Sequence, residues 1–281
     1  MPSFNSFTGR VAVITGAASG IGFGLAERFA AEGMKLVLAD IEERALAAAA
    51  ERLRAPGREL IAVRCDVSQP EEVERLAEQA MNAFDAVHVV CNNAGVADTS
   101  GAAVWEASLE DWQWVMGVNL WGVVHGVRTF VPILLRQEEG YVVNTASVAG
   151  LVPGALGSYS VTKHAVVALS ESLRSELAAV NAHVGVSVLC PSAVATRIME
   201  ADRNRPSGPR GALPTNSSPT QILERLRRII ATSTPPSEIA ASVVEAMRAG
   251  RFYVLPHPAV LEQVRGRVQA IEADTPSAST V

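Results

Sequence analysis

Lysine is the scarcest useful residue in this chain of 281: among 24 lysines and arginines only Lys35 and Lys163 are lysine. Cysteine is nearly as rare, and its three copies, Cys65, Cys91 and Cys190, each sit in an apolar, strand-like run. No metal-ligand spacing joins them, so neither a disulfide framework nor a zinc site is expected; reduced core thiols are. An apolar run of membrane-spanning length is missing, and the first residues lack the charged and apolar regions of a secretory leader. A cytoplasmic protein without a membrane partner is therefore expected. An excess of positive charge is missing as well. The net charge of -5 gives no reason to expect nucleic acid or an anionic membrane surface as partner.

A residue type used only twice is seldom surface decoration, which draws attention to Tyr159-Ser-Val-Thr-Lys163. Positions four apart lie on one helix face, a turn from each other. An ammonium held near a phenol favours the phenolate and lowers its pKa toward neutrality. The pair suits acid/base work on a hydroxyl or carbonyl. By itself this spacing occurs by chance in many proteins, so the rest of the chain must supply its context.

Val11 to Ile14 is a short strand pattern, followed by Thr15-Gly16-Ala-Ala-Ser19-Gly20-Ile21-Gly22 and a helical pattern to Ala31. Strand, glycine-rich turn and helix together place a phosphate at a helix N-terminus. The spacing Gly-x-x-x-Gly-x-Gly is not the commonest dinucleotide fingerprint, but it meets the same needs: a tight turn, close backbone approach and close packing of the first helical turn. Lys35 to Asp40 is the second strand. An acid about 20 residues past the glycine turn is placed to accept hydrogen bonds from ribose hydroxyls and to repel a 2′-phosphate. Neither Ser19 nor Ile41 offers a basic group to that phosphate, which favours NAD over NADP. Asp40 capping the next helix is a compatible reading.

A helix from Glu42 to Leu53 leads to a third strand, Leu60 to Cys65, which delivers Asp66 and Val67 to the carboxyl edge of the sheet. Ser68 reads as the N-cap of the following helix. Val87 to Cys91 is the fourth strand, with His88 a core residue, and Asn92-Asn93-Ala94-Gly95 follows as either a site turn or plain turn chemistry. A long helical pattern runs from Glu110 to about Leu135. Inside it Asn119 interrupts an apolar stretch, which calls for a bend, a water or a ligand. The four tryptophans between Trp105 and Trp121 read as core or subunit interface, with one of them a wall of a substrate pocket. Strand five, Tyr141 to Ala146, delivers Ser147 to the same edge as Tyr159. Strand six, Val184 to Cys190, delivers Pro191 to Thr196. Residues 200 to 220 break every periodicity and read as disordered surface or as a lid, the substrate loop spanning about 197–220. A helix from Thr220 to Ala231, another to Arg248 and a short strand Phe252 to Leu255 complete the pattern. The tail after Glu272 reads as disordered. Strands alternating with helices define a single α/β domain, a Rossmann-like doubly wound parallel sheet of about seven strands with helices on both faces.

The order Thr15-Gly-x-x-x-Gly-Ile-Gly22, Asn92-Asn-Ala-Gly95, Asn119, Ser147 and Tyr159-x-x-x-Lys163 resembles the short-chain dehydrogenase/reductase family over about residues 8 to 255. Each piece is weak and the ordered set is specific. The resemblance implies that Tyr159 is the general acid/base, that Ser147 binds the substrate oxygen, and that Lys163 binds the nicotinamide ribose and depresses the Tyr159 pKa. Asn119 would hold a water linking Lys163 to solvent. Gly16, Ser19, Gly20, Ile21 and Gly22 would form the pyrophosphate turn, Asp40 would bind ribose, and Asp66 and Val67 the adenine. Asn93, Ala94 and Gly95 would face the middle of the cofactor, with Pro191, Val194 and Thr196 at the nicotinamide end. A homodimer or homotetramer built on Trp112–Leu135 and Ser158–Val180 is also implied.

Two departures stand out. Ser192 follows Pro191 where the family often has glycine, and the segment between Ser147 and Tyr159 is a residue shorter than in many relatives. A further, weak similarity links the Arg-Asn-Arg-Pro loop and Tyr253-Val-Leu-Pro-His-Pro258 to the branch that oxidises benzylic alcohols of aryl ethers. The candidate pocket residues Val148, Leu151, Val152, Leu156, Ala193, Val194, Ile198 and Met199 are apolar, so a hydrophobic or aromatic secondary alcohol or ketone is the expected substrate. An NADP-preferring carbonyl reductase, a nicotinamide-nucleotide-binding protein without chemistry, and an epimerase or lyase are the alternatives.

Overall fold

The computed structural model describes residues 2–100, 102–152, 157–208, 225 and 228–274. Seven strands form one sheet: β1 (Val11–Thr15), β2 (Lys35–Asp40), β3 (Leu60–Arg64), β4 (Val89–Asn92), β5 (Gly140–Thr145), β6 (Val184–Leu189) and β7 (Tyr253–Val254). Their order is β3-β2-β1-β4-β5-β6-β7, and every neighbouring pair is parallel. The direction of winding reverses between β1 and β4, which opens a crevice at their carboxyl ends. The doubly wound parallel sheet read from the sequence is thus the fold.

Helices cover both faces. On one face α1 (Gly20–Ala31) packs beside α7 (Pro236–Arg248), with α2 (Glu43–Leu53) flanking them. On the other lie α3 (Pro70–Phe84), α5 (Gly122–Leu134) and α6 (Gly157–Ala179), with α4 (Leu109–Met116) leading into them. Alternation along β1 divides the core: Ala12 and Ile14 join the first layer, Val11 and Val13 the second. Because both faces are buried, these strands read as continuous apolar runs. Residues ahead of β1 are part of the first layer. Phe4 and Phe7 are buried, Phe4 meets Tyr141 edge-on, and the Phe4 amide donates to the Met247 carbonyl at the end of α7. Among the described residues no helix is long and apolar enough to cross a membrane.

Several expectations are corrected. The helix read as continuous from Glu110 is α4 and α5 joined by a π-helical turn, Gly117–Trp121, centred on Asn119. Ser68 does not cap α3; Gln69 holds that position, and Ser68 instead donates both its amide and its hydroxyl to Asp66 Oδ1. Val87 and His88 precede β4 rather than belonging to it. His88 is buried as expected, accepting from the Val11 amide. Ile198–Asn204, overlapping the start of the stretch read as aperiodic, is a 3-10 helix. A helix α8 (Val260–Ala273) was not anticipated at all. The expected loop 209–220, most of the helix expected from Thr220 and the tail from 275 lie outside the described residues, except that 228–231 form a helical turn.

Candidate active site

The crevice at the switch point is a cleft of about 650 Å³ running along the carboxyl ends of the strands from Asp40 to Met199. Its floor is the glycine turn between β1 and α1. Gly16 and Gly20 take φ of 67° and 55°, which side chains resist. Gly22 has no room for a side chain either, because a Cβ there would stand 2.1 Å from the Gly16 carbonyl oxygen. Ser19 enters α1 without capping it with its hydroxyl, so the first amides of the helix keep no side-chain acceptor there.

Thr15 stitches this turn to the one after β4. Its hydroxyl oxygen accepts from the amides of Asn93 and Ala94 and donates to the Cys91 carbonyl, while the Asn93 side chain donates to the Thr15 carbonyl. Asn93 Oδ1 also accepts from Thr145. Asn92 is turned the other way, donating to Asn144, which donates on to Ser170. The asparagine turn therefore has one residue in the cleft wall and one beneath the sheet.

Asp40 accepts from the amides of Ala18 and Glu42, each at 3.0 Å, so it caps the β2–α2 turn and also lines the cleft. Burial pushes its carboxyl up, and those two amides pull it down. No basic residue stands beside Asp40 in sequence, but one arrives from afar. Arg203, on the Ile198–Asn204 turn, donates Nε and Nη2 to Glu42 Oε1 at 2.9 and 2.6 Å, and Asn204 adds a bond of 3.0 Å to the same oxygen. The Arg203 bonds hold the Glu42 carboxyl below its usual range. At the far wall Asp66 is fixed by Ser68, its amide donates to Glu72, and His125 Nδ1 donates to the Val67 carbonyl at 2.9 Å.

The four expected catalytic residues come from three elements. Ser147 follows β5; its oxygen accepts from the Ala149 amide, its hydroxyl reaches the Pro191 carbonyl at 3.4 Å, and it hydrogen-bonds the Tyr159 phenol. Lys163 on α6 is buried with its ammonium 5.6 Å from the centre of the Tyr159 ring, and donates to the Thr145 carbonyl. Burial lowers its pKa to about 8. The expected depression of the Tyr159 pKa by Lys163 is not what these surroundings produce. Burial pushes the phenol up, and the Ser147 bond opposes it. Asn119 is fully buried. Its amide accepts from the Val96 N–H and donates to the Val96 carbonyl and to Thr162, leaving one acceptor lone pair for any water. Gly95 fits between the two elements, since a Cβ there would sit 3.4 Å from Asn119 Oδ1 and 3.5 Å from Lys163 Nζ.

Of the expected pocket residues, Val148, Ala193, Val194, Ile198 and Met199 line the cleft, whereas Leu151 and Val152 do not; Leu151 packs toward the α6 layer. Leu156 lies outside the described residues. Trp114 is the one tryptophan on the cleft wall, and Trp105 and Trp121 are exposed. Ser192, the departure from the family pattern, donates its amide to His257 Nδ1 at 3.1 Å; the other ring nitrogen, which then carries the proton, meets Thr234 at 2.9 Å. Thr145, Arg203 and His257 were missed from sequence, since their partners are remote in the chain. Among the described residues no cluster of His, Cys, Asp or Glu is arranged to hold a metal.

A glycine turn at a parallel-sheet switch point, with a serine, tyrosine and lysine converging beyond it, defines a nucleotide-binding oxidoreductase. Comparison with known proteins narrows this. Residues 10–207 match the family model described as short chain dehydrogenase. A short-chain dehydrogenase/reductase from Burkholderia phymatum, solved in complex with NAD, superposes with a TM-score of 0.91 at 46% identity, covering 99% of each chain. The 1-deoxy-11-beta-hydroxypentalenate dehydrogenase of Streptomyces exfoliatus is 40% identical over 87% of this chain and 82% of its own length. The C alpha-dehydrogenase of a Sphingobium species is 33% identical over 94% and 86%. The chain belongs to the short-chain dehydrogenase/reductase family, and it is an oxidoreductase.

Proposed function

We propose that this enzyme interconverts a hydrophobic or aromatic secondary alcohol and its ketone with NAD. The observation that carries the reading is the convergence of Ser147, Tyr159 and Lys163 on one end of a cleft whose other end holds the glycine turn and Asp40. The residues fit a dinucleotide. A Cβ would fill the cradle at Gly16 and Gly22, α1 offers its N-terminal amides to a pyrophosphate, and a half-buried carboxylate stands at the end of β2.

Gly16, Ser19, Gly20, Ile21 and Gly22 would hold the pyrophosphate, Asp40 the ribose, Asp66 and Val67 the adenine, and Asn93, Ala94 and Gly95 the middle of the molecule. Pro191, Val194 and Thr196 would flank the nicotinamide, which when bound supplies the hydride acceptor or donor. The Ser147 hydroxyl donates to the substrate oxygen and stabilises the charge that develops on it. Tyr159 takes the alcohol proton in oxidation and returns it in reduction. A nearby Lys163 cation favours the phenolate, against the burial that disfavours it. Asn119 acts on the pair through Thr162 and Val96, as a positioning residue. The apolar wall of Val148, Val194, Met199 and Trp114 supports a hydrophobic substrate, in keeping with a hydroxypentalenate dehydrogenase among the relatives. A homodimer or homotetramer in the cytoplasm completes the reading, with exposed Trp121 and Val161 on the helices that would meet.

The test is a panel of hydrophobic alcohols and ketones followed by NADH absorbance, with NAD and NADP compared by kcat/KM. Net NADH formation with an alcohol supports a dehydrogenase; turnover without net NADH points to an epimerase. Tyr159→Phe should abolish turnover while leaving NADH binding measurable. Retained turnover would refute the mechanism, and an NADP preference would refute the role of Asp40.

A further inference from the structure

The β2 and β6 strands are four places apart in the sheet, roughly 19 Å at the usual spacing. Yet the loop after β6 reaches back over the cleft to the loop after β2. Arg203 and Asn204 both end on Glu42, two residues beyond the carboxylate placed for the adenosine ribose. All three residues line the cleft, so the bridge stands at its adenosine end rather than on the outer surface.

Four of the five N–H donors of the guanidinium are committed. Nε and Nη2 go to Glu42, and Nη1 goes to the carbonyls of Glu200 at 2.8 Å and Arg197 at 3.3 Å. A guanidinium so placed is otherwise the group of choice for a phosphate, which it grips through a fork of free N–H donors. Here no fork is free. Glu42 also adds a second carboxylate beside Asp40, and its charge helps to push the Asp40 carboxyl up. Arg197, the next cation along the turn, is engaged with Glu200 at 2.8 Å.

Resting on the NAD-binding reading above, we propose that Glu42 is a cofactor-specificity residue: it occupies Arg203, the cation that would otherwise reward a 2′-phosphate at Asp40. Discrimination against the 2′-phosphate then has two parts, repulsion by Asp40 and the withdrawal of Arg203 by Glu42. The second part requires the loop after β6 to be seated, so specificity depends on a residue 161 positions away from the one that tunes it.

The experiment measures binding of two fragments by calorimetry, 5′-AMP and adenosine 2′,5′-bisphosphate, with no substrate and no turnover. Wild type should bind 5′-AMP and take the bisphosphate more weakly. Glu42→Gln, which keeps the shape and the Asn204 contact, should improve bisphosphate binding about tenfold, the worth of one charge-assisted hydrogen bond, and leave 5′-AMP nearly unchanged. Adding Arg203→Gln should remove the gain. Arg203→Gln alone should weaken the bisphosphate several-fold, because Glu42 is left unpaired beside Asp40; this variant decides the matter if Glu42→Gln does not fold. Unchanged discrimination in Glu42→Gln with 5′-AMP still bound, or a gain that persists without Arg203, overturns the proposal and spares the NAD reading. Failure of wild type to bind 5′-AMP overturns both.

Discussion

The ammonium of Lys163 donates a hydrogen bond of 2.9 Å to the carbonyl of Thr145, the last residue of β5 and two positions before Ser147. The cation thus ties α6 to the strand that delivers the serine. Its burial makes that tie sensitive to pH. The folded-state pKa is lowered to about 8 from an ordinary 10.5. Below pH 8 the group is charged in both states, and the folded state carries the cost. Between pH 8 and 10.5 the unfolded chain binds the extra proton, so stability from this group rises with pH. Lys163→Met has no such dependence. The unfolding free energy of wild type minus that of Lys163→Met should climb by up to about 3 kcal/mol across that window. Urea titrations at fixed pH check this, and a flat difference would show that the lysine is not desolvated.

Asn119→Ala should cost about 2 to 4 kcal/mol, since it strands the buried Val96 amide and carbonyl that the side chain now satisfies. Hydrogen exchange should quicken at the Val96 amide before it changes elsewhere. Because Gly95 lies between Asn119 and Lys163, affinity for NADH should fall as well. An exchange rate at Val96 equal to wild type would argue against the clamp.

Gly126 on α5 presses on the buried Asn92 side chain so closely that a Cβ would stand 1.9 Å from its Oδ1. Gly126→Ala should therefore destabilise the protein by about 1 to 3 kcal/mol or more, as overpacking does, by breaking the Asn92–Asn144 bond. Guanidinium unfolding measures it. Activity per folded molecule should change far less than the midpoint.

The three thiols are all buried and pushed up by burial, Cys65 and Cys190 to about 12. A thiol acts as a nucleophile only when ionised. An aromatic disulfide reagent at pH 8 should find almost no fast-reacting thiol in the native protein and all three in denaturant. Rapid native reaction of even one would contradict the packing around it.

What was legible in the sequence was local or periodic. β1 could be read because both its faces are covered, and the glycine turn because Gly16, Gly20 and Gly22 lie within a few residues of one another. Tyr159 and Lys163 sit a helical turn apart, so their spacing carried their geometry. What was not legible depends on partners far off in the chain. Nothing near Glu42 hints at Arg203, and nothing near Ser192 hints at His257. The π turn at Asn119 arises because that side chain serves Val96 and Thr162 rather than its own helix. Helix α8 escaped notice because it buries little beyond Val260, so its apolar residues draw no clear stripe. Ser68 looked like a cap until a neighbouring carboxylate, Asp66, claimed it.

The seat of Phe4 is built from Tyr141 and from the Met247 carbonyl that receives its amide. During synthesis on the ribosome, Phe4 waits for a helix made long after it. Contacts of such long range slow folding, because loop closure is paid before packing repays it. The opening residues should therefore be among the last to lock, and their docking should report completion of the whole sheet.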